Sequence, residues 1–367
     1  GSEMCIRDRY KNKERIIYMK KVTYQQVADA LNISRVTVWK AVNDKPGIAP
    51  DTKRSILQKA VEMGYPISIA DSKNINVVTA PPKASSPSIK NCNVAVVVSR
   101  PETSTFWMNI IHHQAIALAS HEVNMMYVYL PPTYSDDFTL PNCLTDGSVS
   151  GIIVMNIYDP RLFLALNNLE LPKVFLDCPT NTSFSSLNGD LFLIEGRANT
   201  EEIVERMIAS EKKRIRFIGD IAYAQTNKER YLGYLKAMQR HQLFINESEN
   251  LTQSMGLDQY KPLVYEYLDH IAASSDAIVC VNDHIASLVL SYCQEHNIRV
   301  PDDLYVSGFD DNHEFNNRIT LTSVHVNTEH IGTHLANRIV YRLMHPEDDY
   351  EYTYIRSRTI YRESTND

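Results

Sequence analysis

The sequence predicts an α/β protein in two parts, a small all-α head followed by a larger, doubly wound body. In residues 22–43, apolar side chains recur every three to four positions in two short segments, a spacing typical of two helices that cross at a turn. Beyond residue 92, strand-length apolar runs alternate with helix-period segments, as in parallel sheets flanked by helices. Between the two parts, residues 67–91 are polar and contain Pro and Ser repeatedly, which indicates a linker.

The head pattern predicts a helix-turn-helix module. The expected buried positions are Val27, Ala28 and Leu31 in the first helix, Val38, Ala41 and Val42 in the second, and Ile56, Leu57 and Ala60 in a third. Asn32 tolerates the left-handed backbone that a sharp turn requires, and Ser34 is a good N-cap for the second helix. The third helix is expected over 51–63, with Gly64 as its stop. This arrangement is the frame that many DNA-binding proteins insert into a groove.

The charge of the chain is polarised. Residues 19–66 carry eight Lys and Arg against four acidic residues, a net of +4. Residues 1–18 add +2, so that residues 67–367 must carry −13 to give the total of −7. A basic head on an acidic body is expected if only the head contacts phosphates, although a helical bundle with a solvated basic face would give the same charge.

Length and composition limit the class of protein. With 367 residues and 44% hydrophobic content, the chain can bury more than one core. The six cysteines have no C-x-x-C pair, which favours reduced thiols and a cytoplasmic location. No apolar run approaches the roughly 18 residues of a membrane span, and residues 1–18 lack the apolar region of a signal peptide. We expect an extension at 1–18, the head at 19–66, a hinge at 67–91 and the body at 92–367.

The segment VTYQQVADALNISRVTVWKAVND resembles the head of the LacI/GalR family of bacterial transcription regulators. The resemblance implies that Arg35 and Val36 face base edges in the major groove, with Lys40 one turn later. The Trp39 indole would donate to a phosphate, or alternatively pack half-buried in the head. The residues expected to contact DNA are Thr23, Ser34, Arg35, Val36, Thr37, Trp39, Lys40 and Asn43.

The hinge departs from the family pattern. Relatives usually have Y-x-P-N followed by a short helix whose Leu wedges into the minor groove. Here residues 65–68 read Tyr-Pro-Ile-Ser, and no Leu follows before the body. Ile67, Ile69 and Ile75 are the available substitutes for the wedge.

In the body, strands are expected at 93–98, 125–130, 151–155, 174–176, 215–218, 277–281 and 305–308, and helices at 106–120, 200–210 and 228–241. Three segments match family motifs: 228–234 contains E-R-x-x-G-Y, 281–283 reads x-N-D and 307–311 reads x-G-F-D-D. Residues 300–304 and 362–365 also match, as V-P-x-D-L and R-x-S-T. The resemblance implies a type I periplasmic-binding-protein fold, in which two lobes enclose a small molecule.

Carried over residue by residue, the resemblance assigns the effector site to Phe106, Trp107, Arg230, Asn282 and Asp310. These groups suit a sugar, since Asp310 accepts from hydroxyls, Arg230 donates and Trp107 can cover an apolar ring face. A purine would be served by Phe106 and Trp107 in a similar way. The alternative roles are a surface position for Arg230, a turn for Asn282, a helix cap for Asp310 and core packing for Trp107. Glu195 and Asn199 replace family residues and could alter which effector fits.

No catalytic or cofactor motif is present among the common ones, and the twelve His show no metal-ligand spacing, so neither an enzyme nor a metal or cofactor site is expected. The sequence therefore predicts an effector-controlled transcription regulator, most simply a repressor, that binds a near-palindromic double-stranded operator as a homodimer. The alternative class is a sugar-binding protein of transport or sensing without DNA binding. The missing signal peptide and the basic head argue against that class.

Overall fold

The computed structural model describes residues 23–43, 45–63, 91–99, 104–256, 260–312 and 319–365. The chain divides into two compact units, residues 1–85 and 86–367. The expected extension at 1–18 and nearly all of the expected hinge at 67–91 lie outside the described residues.

The first unit contains three helices, α1 (Tyr24–Leu31), α2 (Arg35–Val42) and α3 (Pro50–Glu62). Asn32 closes α1 in the left-handed conformation, with φ of 54°, and the Ser34 side chain accepts the Thr37 N–H at the start of α2. Both local features were predicted, and α3 begins and ends one residue before its predicted bounds. Among the described side chains of this unit, Val27, Ala28, Val38, Ala41, Ile56, Leu57 and Ala60 are buried as predicted, whereas Leu31 and Val42 are only half-buried.

The second unit alternates strands and helices. Its strands are β1 (Asn93–Val98), β2 (Asn124–Tyr129), β3 (Gly151–Met155), β4 (Lys173–Leu176), β5 (Asp190–Ile194), β6 (Ile215–Ile218), β7 (Ala277–Cys280), β8 (Tyr305–Ser307), β9 (Ser323–His325), β10 (Tyr352–Ile355) and β11 (Arg358–Ile360). Its helices are α4 (Thr105–Ser120), α5 (Pro160–Asn167), α6 (Arg197–Ala209), α7 (Gln225–Arg240), α8 (Tyr260–Ile271), α9 (Asp283–Glu295) and α10 (Thr328–Met344).

Two parallel sheets organise this unit. The first has the order β10-β5-β4-β3-β1-β2, and the second has the order β6-β7-β8. A short antiparallel pair, β9 with β11, lies beside the second sheet, since Ser307 of β8 bridges Thr322. We call the six-stranded sheet with α4, α5 and α10 the first lobe, and the remaining elements the second lobe. The predicted fold class, a two-lobed doubly wound α/β body with a helix-turn-helix head, is confirmed.

Close helix contacts explain two glycines. A Cβ on Gly332 of α10 would lie 2.5 Å from the carbonyl oxygen of Ile110 in α4, and a Cβ on Gly233 of α7 would lie 2.2 Å from the carbonyl oxygen of Arg197 in α6. Neither distance is compatible with a side chain. Glycine is therefore needed where α4 meets α10 in the first lobe and where α6 meets α7 in the second.

The chain crosses between the lobes at three places. One crossing follows β5 at 195–196, the second joins β9 to α10 at 326–327, and the third joins β10 to β11 at 356–357. We call these the crossing segments. Any rotation of one lobe against the other must change the backbone at these segments.

Candidate functional site

The second helix of the head presents an exposed face. Arg35 and Val36 open α2 and are exposed, Val36 by 60%, and the Trp39 indole is 43% exposed one turn later. Lys40 is half-buried on the same helix. The side chains that would have to enter a DNA groove are thus at the surface, while Val38 and Ala41 hold the helix on the core.

Four other predicted DNA-contact residues hold the helix ends. Thr23 forms a capping box with Gln26 at the start of α1. The Ser34 hydroxyl accepts the Thr37 N–H at 3.1 Å and lies 2.7 Å from the Thr37 hydroxyl. Asn43 donates from its side chain to the Trp39 carbonyl at 2.9 Å. These bonds order α1 and α2, and the DNA contacts themselves remain predictions.

In the second unit, a cavity of about 620 Å³ opens between the two lobes. We call it the cleft. All five residues predicted for the effector site line it, namely Phe106, Trp107, Arg230, Asn282 and Asp310. They come from the start of α4, from α7, from the N-terminus of α9 and from the loop after β8, so that the folded chain brings together positions up to about 200 residues apart.

Arg230 is held rigidly on the second lobe. Its Nη1 donates to the Val281 carbonyl at 2.7 Å, and its guanidinium stacks on the Phe309 ring with 3.6 Å to the centroid. Gly196 permits this position, since a Cβ there would lie 2.8 Å from Arg230 Cγ. The side chain is only 6% exposed. The alternative surface role of Arg230 is therefore wrong.

Asp310 faces the arginine across a gap. Its Oδ1 lies 3.5 Å from Arg230 Nη2, a long contact, and its backbone has a φ of +104°. This left-handed backbone is uncommon for a residue with a Cβ and is kept only where the surrounding structure enforces it. Burial raises the pKa of Asp310 to about 6, and the nearby Arg230 opposes that rise.

Asn282 combines two roles. Its side-chain oxygen accepts the Ile285 N–H at 3.0 Å and so caps α9, which matches the turn-forming alternative. The same residue also lines the cleft. Since the oxygen serves the helix, the amide nitrogen is the group that can donate to a ligand.

Aromatic side chains form the first-lobe wall. Phe106 is buried and Trp107 is partly buried at the start of α4, with their rings 5.2 Å apart and perpendicular. Trp107 packs against the core and also lines the cleft. The two roles considered for it, core packing and effector binding, are therefore compatible. Tyr158 and Tyr223 lie farther along the cleft with ring centroids 4.5 Å apart.

Carboxyl groups missed by the sequence reasoning also line the cleft: Asp177, Asp220 and Asp283. Asp177 directly follows β4 and accepts hydrogen bonds from Tyr158 at 3.1 Å and from the Thr226 hydroxyl at 2.5 Å. Its position could have been found by extending the search at strand ends to β4, because ligands in such sheets bind beyond the carboxyl ends of strands.

Burial raises the pKa of two of these carboxyl groups, Asp177 and Asp283. The pKa of Asp177 is raised by burial, against the opposing effect of its hydrogen bonds. The pKa of Asp283 is raised to about 8 by burial and by the neighbouring Asp310, although the Ser323 hydroxyl and the Asn312 N–H both bond to it. At neutral pH the Asp283 carboxyl is therefore mostly neutral.

Glu195 and Asn199 lie outside the cleft lining. The Glu195 carboxylate accepts the Ala198 N–H at 3.0 Å, and Asn199 donates to the Ser357 carbonyl at 3.3 Å. Within the described part of the chain, no group of three or more His, Cys, Asp or Glu is arranged to hold a metal ion. Over the same residues, no helix has both the length and the apolar character needed to cross a bilayer.

Comparison with known proteins agrees with this architecture. Residues 204–365 match the model of a periplasmic binding protein-like domain. The chain is 24% identical to the HTH-type transcriptional repressor PurR of Haemophilus influenzae (strain PittEE), over 89% of this chain and 92% of that protein. It is 25% identical to the probable HTH-type transcriptional repressor ExuR of Bacillus subtilis (strain 168), over 94% of this chain and 98% of the relative.

Two solved structures have the same fold. A transcriptional regulator CelR–cellobiose complex gives a TM-score of 0.68 at 20% identity and covers 94% of this chain and all of that one. The lac repressor dimer bound to operator and the anti-inducer ONPF gives a TM-score of 0.62 at 17% identity, covering 94% of this chain and 99% of the other. Both alignments extend over nearly the whole chain.

Proposed function

We propose, from the premise that the chain belongs to the LacI/GalR family of transcription regulators, that it is a repressor whose operator affinity is controlled by a sugar bound in the cleft. The observation that carries the proposal is the convergence of Arg230, Asn282 and Asp310 with the Phe106–Trp107 wall on one cavity. If these residues served only as surface or capping groups, their polar side chains would not need to converge on one cavity.

The balance of polar groups supports an uncharged, hydroxyl-rich effector. Asp310 has one long contact to Arg230, so its oxygens can accept hydroxyl protons, while Arg230 and the Asn282 amide can donate. Among the described residues, the cleft is lined by four aspartates, of which Asp283 is mostly neutral at neutral pH, and by two side chains with a permanent positive charge, Arg230 and Lys261. The opposite charges in the cleft are therefore nearly balanced, which suits an uncharged effector that makes hydrogen bonds to both kinds of group.

The head supports specific DNA binding. Arg35 and Val36 are exposed at the first positions of α2, where they can reach base edges, and the exposed Trp39 indole can donate to a phosphate. A sugar-binding protein without DNA binding would have no use for a capped helix that exposes an arginine, a valine and a tryptophan together.

A homodimer is supported by large apolar side chains that are exposed on the first lobe. Met108 and Ile116 of α4 are 45% and 55% exposed, and Tyr127 and Tyr129 of β2 are 48% and 49% exposed. Val96, which neighbours Tyr127 across the β1–β2 pair, points into the core on the α4 side, so these tyrosines belong to the same face as the helix. Clustered exposed apolar groups of this kind mark association surfaces.

The central test is binding to the promoter of the gene that encodes the protein. The full chain is titrated against fluorescent promoter DNA, with a scrambled duplex as the control, at two salt concentrations. The repressor proposal expects saturable binding to the promoter and weaker, more salt-sensitive binding to the control. Equal binding to both duplexes would contradict it.

The effector is identified by thermal-shift screening of neutral sugars, uronic acids and purine nucleosides. A true ligand raises the melting temperature in a concentration-dependent way because it binds only the folded state. Neutral sugars are expected among the hits. A nucleoside hit without any sugar hit would contradict the sugar proposal and would indicate that the effector is a purine.

A further inference from the structure

A second cavity lies at the crossing segments, apart from the cleft. It measures about 780 Å³ and is lined by residues of all three crossings, including Glu195, Asn327 and Arg356. We call it the crossing cavity. Because its walls belong to the segments that must change when the lobes rotate, its shape depends on the arrangement of the lobes.

Two arginines give this cavity its chemistry. Arg356 directly follows β10 and Arg358 is the first residue of β11, and both are exposed at the cavity. Over the described residues, neither guanidinium has an ion pair or a hydrogen-bonded carboxylate. An arginine pair of this kind matches the planar, multiple-donor recognition of a phosphate or carboxylate.

The acidic groups at the cavity are already engaged. Glu195 accepts the Ala198 N–H at the start of α6, and Glu202 accepts the Tyr361 hydroxyl at 3.1 Å. His325 is bonded to Asp311 at 2.9 Å. The two glutamates keep lone pairs that can accept further hydroxyl protons, whereas they do not neutralise the arginines by direct contact.

We propose that the crossing cavity binds a small hydroxylated anion of the sugar-phosphate class, with its phosphate on Arg356 and Arg358 and its hydroxyls toward Glu195, Glu202 and Asn199. The buried Asn199 donates to the Ser357 carbonyl and so fixes the loop that carries the two arginines. A ligand that binds one arrangement of the crossing segments better than another shifts the equilibrium between lobe arrangements. Ligand binding at the crossing cavity is thus a second way, besides the cleft, to control how the two lobes are arranged.

The probe is glycerol 3-phosphate, titrated calorimetrically into the full chain in phosphate-free buffer, with glycerol and inorganic phosphate as comparison ligands. Saturable binding of glycerol 3-phosphate is expected below roughly 10 mM, tighter than that of inorganic phosphate, with none for glycerol. No DNA is present, so the result is independent of the proposed repressor activity.

The variant Arg356→Gln/Arg358→Gln is expected to weaken glycerol 3-phosphate binding by about tenfold or more. The matched control is Arg161→Gln, an exposed arginine of α5 that contacts Asp136 and the Tyr134 ring. The single variant Arg358→Gln provides a second measurement if the double variant has a lowered melting temperature, and it should also weaken binding.

Four results would overturn the proposal. The first is no binding to the unaltered chain up to roughly 10 mM. The second is an equal loss in Arg161→Gln, which would indicate general charge attraction. The third is loss in Arg230→Gln with retention in the double arginine variant, which would assign the anion to the cleft. Inorganic phosphate binding as tightly as glycerol 3-phosphate would refute the role of the hydroxyls.

Discussion

The Nη2 atom of Arg230 lies 3.5 Å from Oδ1 of Asp310, so that a cation of α7 and a carboxylate of the loop after β8 meet in the cleft through one long contact. Arg230 is anchored by its bond to Val281 and by the Phe309 ring, whereas Asp310 has no comparably short bond to its carboxylate among the described residues. The pair is therefore prepared to share a ligand hydroxyl, which can accept from Arg230 and donate to Asp310 at once.

Asp310→Asn should weaken effector binding by about tenfold, because a charged acceptor bond is worth about 1.5–3 kcal/mol and the amide keeps the side-chain shape. Binding of the best screening hit is measured by calorimetry. The control is Asp302→Asn, an exposed aspartate that pairs with Arg299 on the surface. Unchanged affinity in Asp310→Asn, or an equal loss in the control, would contradict the assignment of the cleft.

Asp283 should make the stability of the body depend on pH. Its pKa rises from 3.8 in an ordinary aspartate to about 8 in the folded chain. Between these values the folded state holds the proton more tightly than the unfolded state, so raising the pH favours unfolding. The stabilising contribution is complete below about pH 4 and is lost as the pH rises through about 8, with a slope of at most about 1.4 kcal/mol per pH unit.

Asp283→Asn removes the titrating group and should flatten this dependence. The free energy of unfolding is measured in urea at several values between pH 5 and pH 8, for the unaltered chain and for the variant. Asp220→Asn serves as the matched control, since Asp220 is buried in the same cleft and accepts the Met255 N–H at 3.1 Å. A difference between the chain and Asp283→Asn that is constant over this range would refute the raised pKa.

Local chemistry explains why much of the fold could be predicted. The head is specified by short-range signals such as Asn32 and Ser34, which act within a few residues and need no partner elsewhere. Strands β1, β3 and β6 are short apolar runs, and their predicted bounds match those in the structure. Strands β5, β9, β10 and β11 were not predicted. Strands β9 and β11 are not strongly apolar and pair with each other across more than thirty residues, whereas β5 is a buried apolar run that was overlooked.

In the site, too, some residues could be predicted from local sequence, whereas others depend on contacts between distant parts of the chain. Arg230, Asn282 and Asp310 were found because motifs carry them, although their presence in one cleft reflects contacts between α7, α9 and the loop after β8. Asp177 was missed, and Asp283 was seen only as part of the x-N-D motif and was not assigned to the site, because burial determines their chemistry and burial depends on elements distant in sequence. The crossing cavity could not be predicted for the same reason, since three separate parts of the chain form it.

Arg35→Ala and Lys40→Ala should weaken operator binding in different ways. Loss of Arg35 should cost about 1–3 kcal/mol of discrimination at one base pair, while loss of Lys40 should weaken binding to all sequences and reduce the salt slope by about one. A panel of singly substituted operators, titrated at several salt concentrations, separates the two effects. Arg54→Ala on α3, an exposed arginine that pairs with Asp51, is the control. Equal loss at every base in Arg35→Ala would refute direct base contact.

Ile116→Lys should convert a dimer to a monomer, because it places a charge among the exposed apolar side chains of the first lobe, which include Met108, Tyr127 and Tyr129. The matched control is Leu164→Lys on α5, whose side chain is 56% exposed against 55% for Ile116. Light scattering after size exclusion should give about twice the 41.9 kDa chain mass for the unaltered chain and the control, and the chain mass for Ile116→Lys. Operator affinity should fall with the dimer, since the two half-sites are then bound independently. A dimer that survives Ile116→Lys would place the association surface elsewhere on the body.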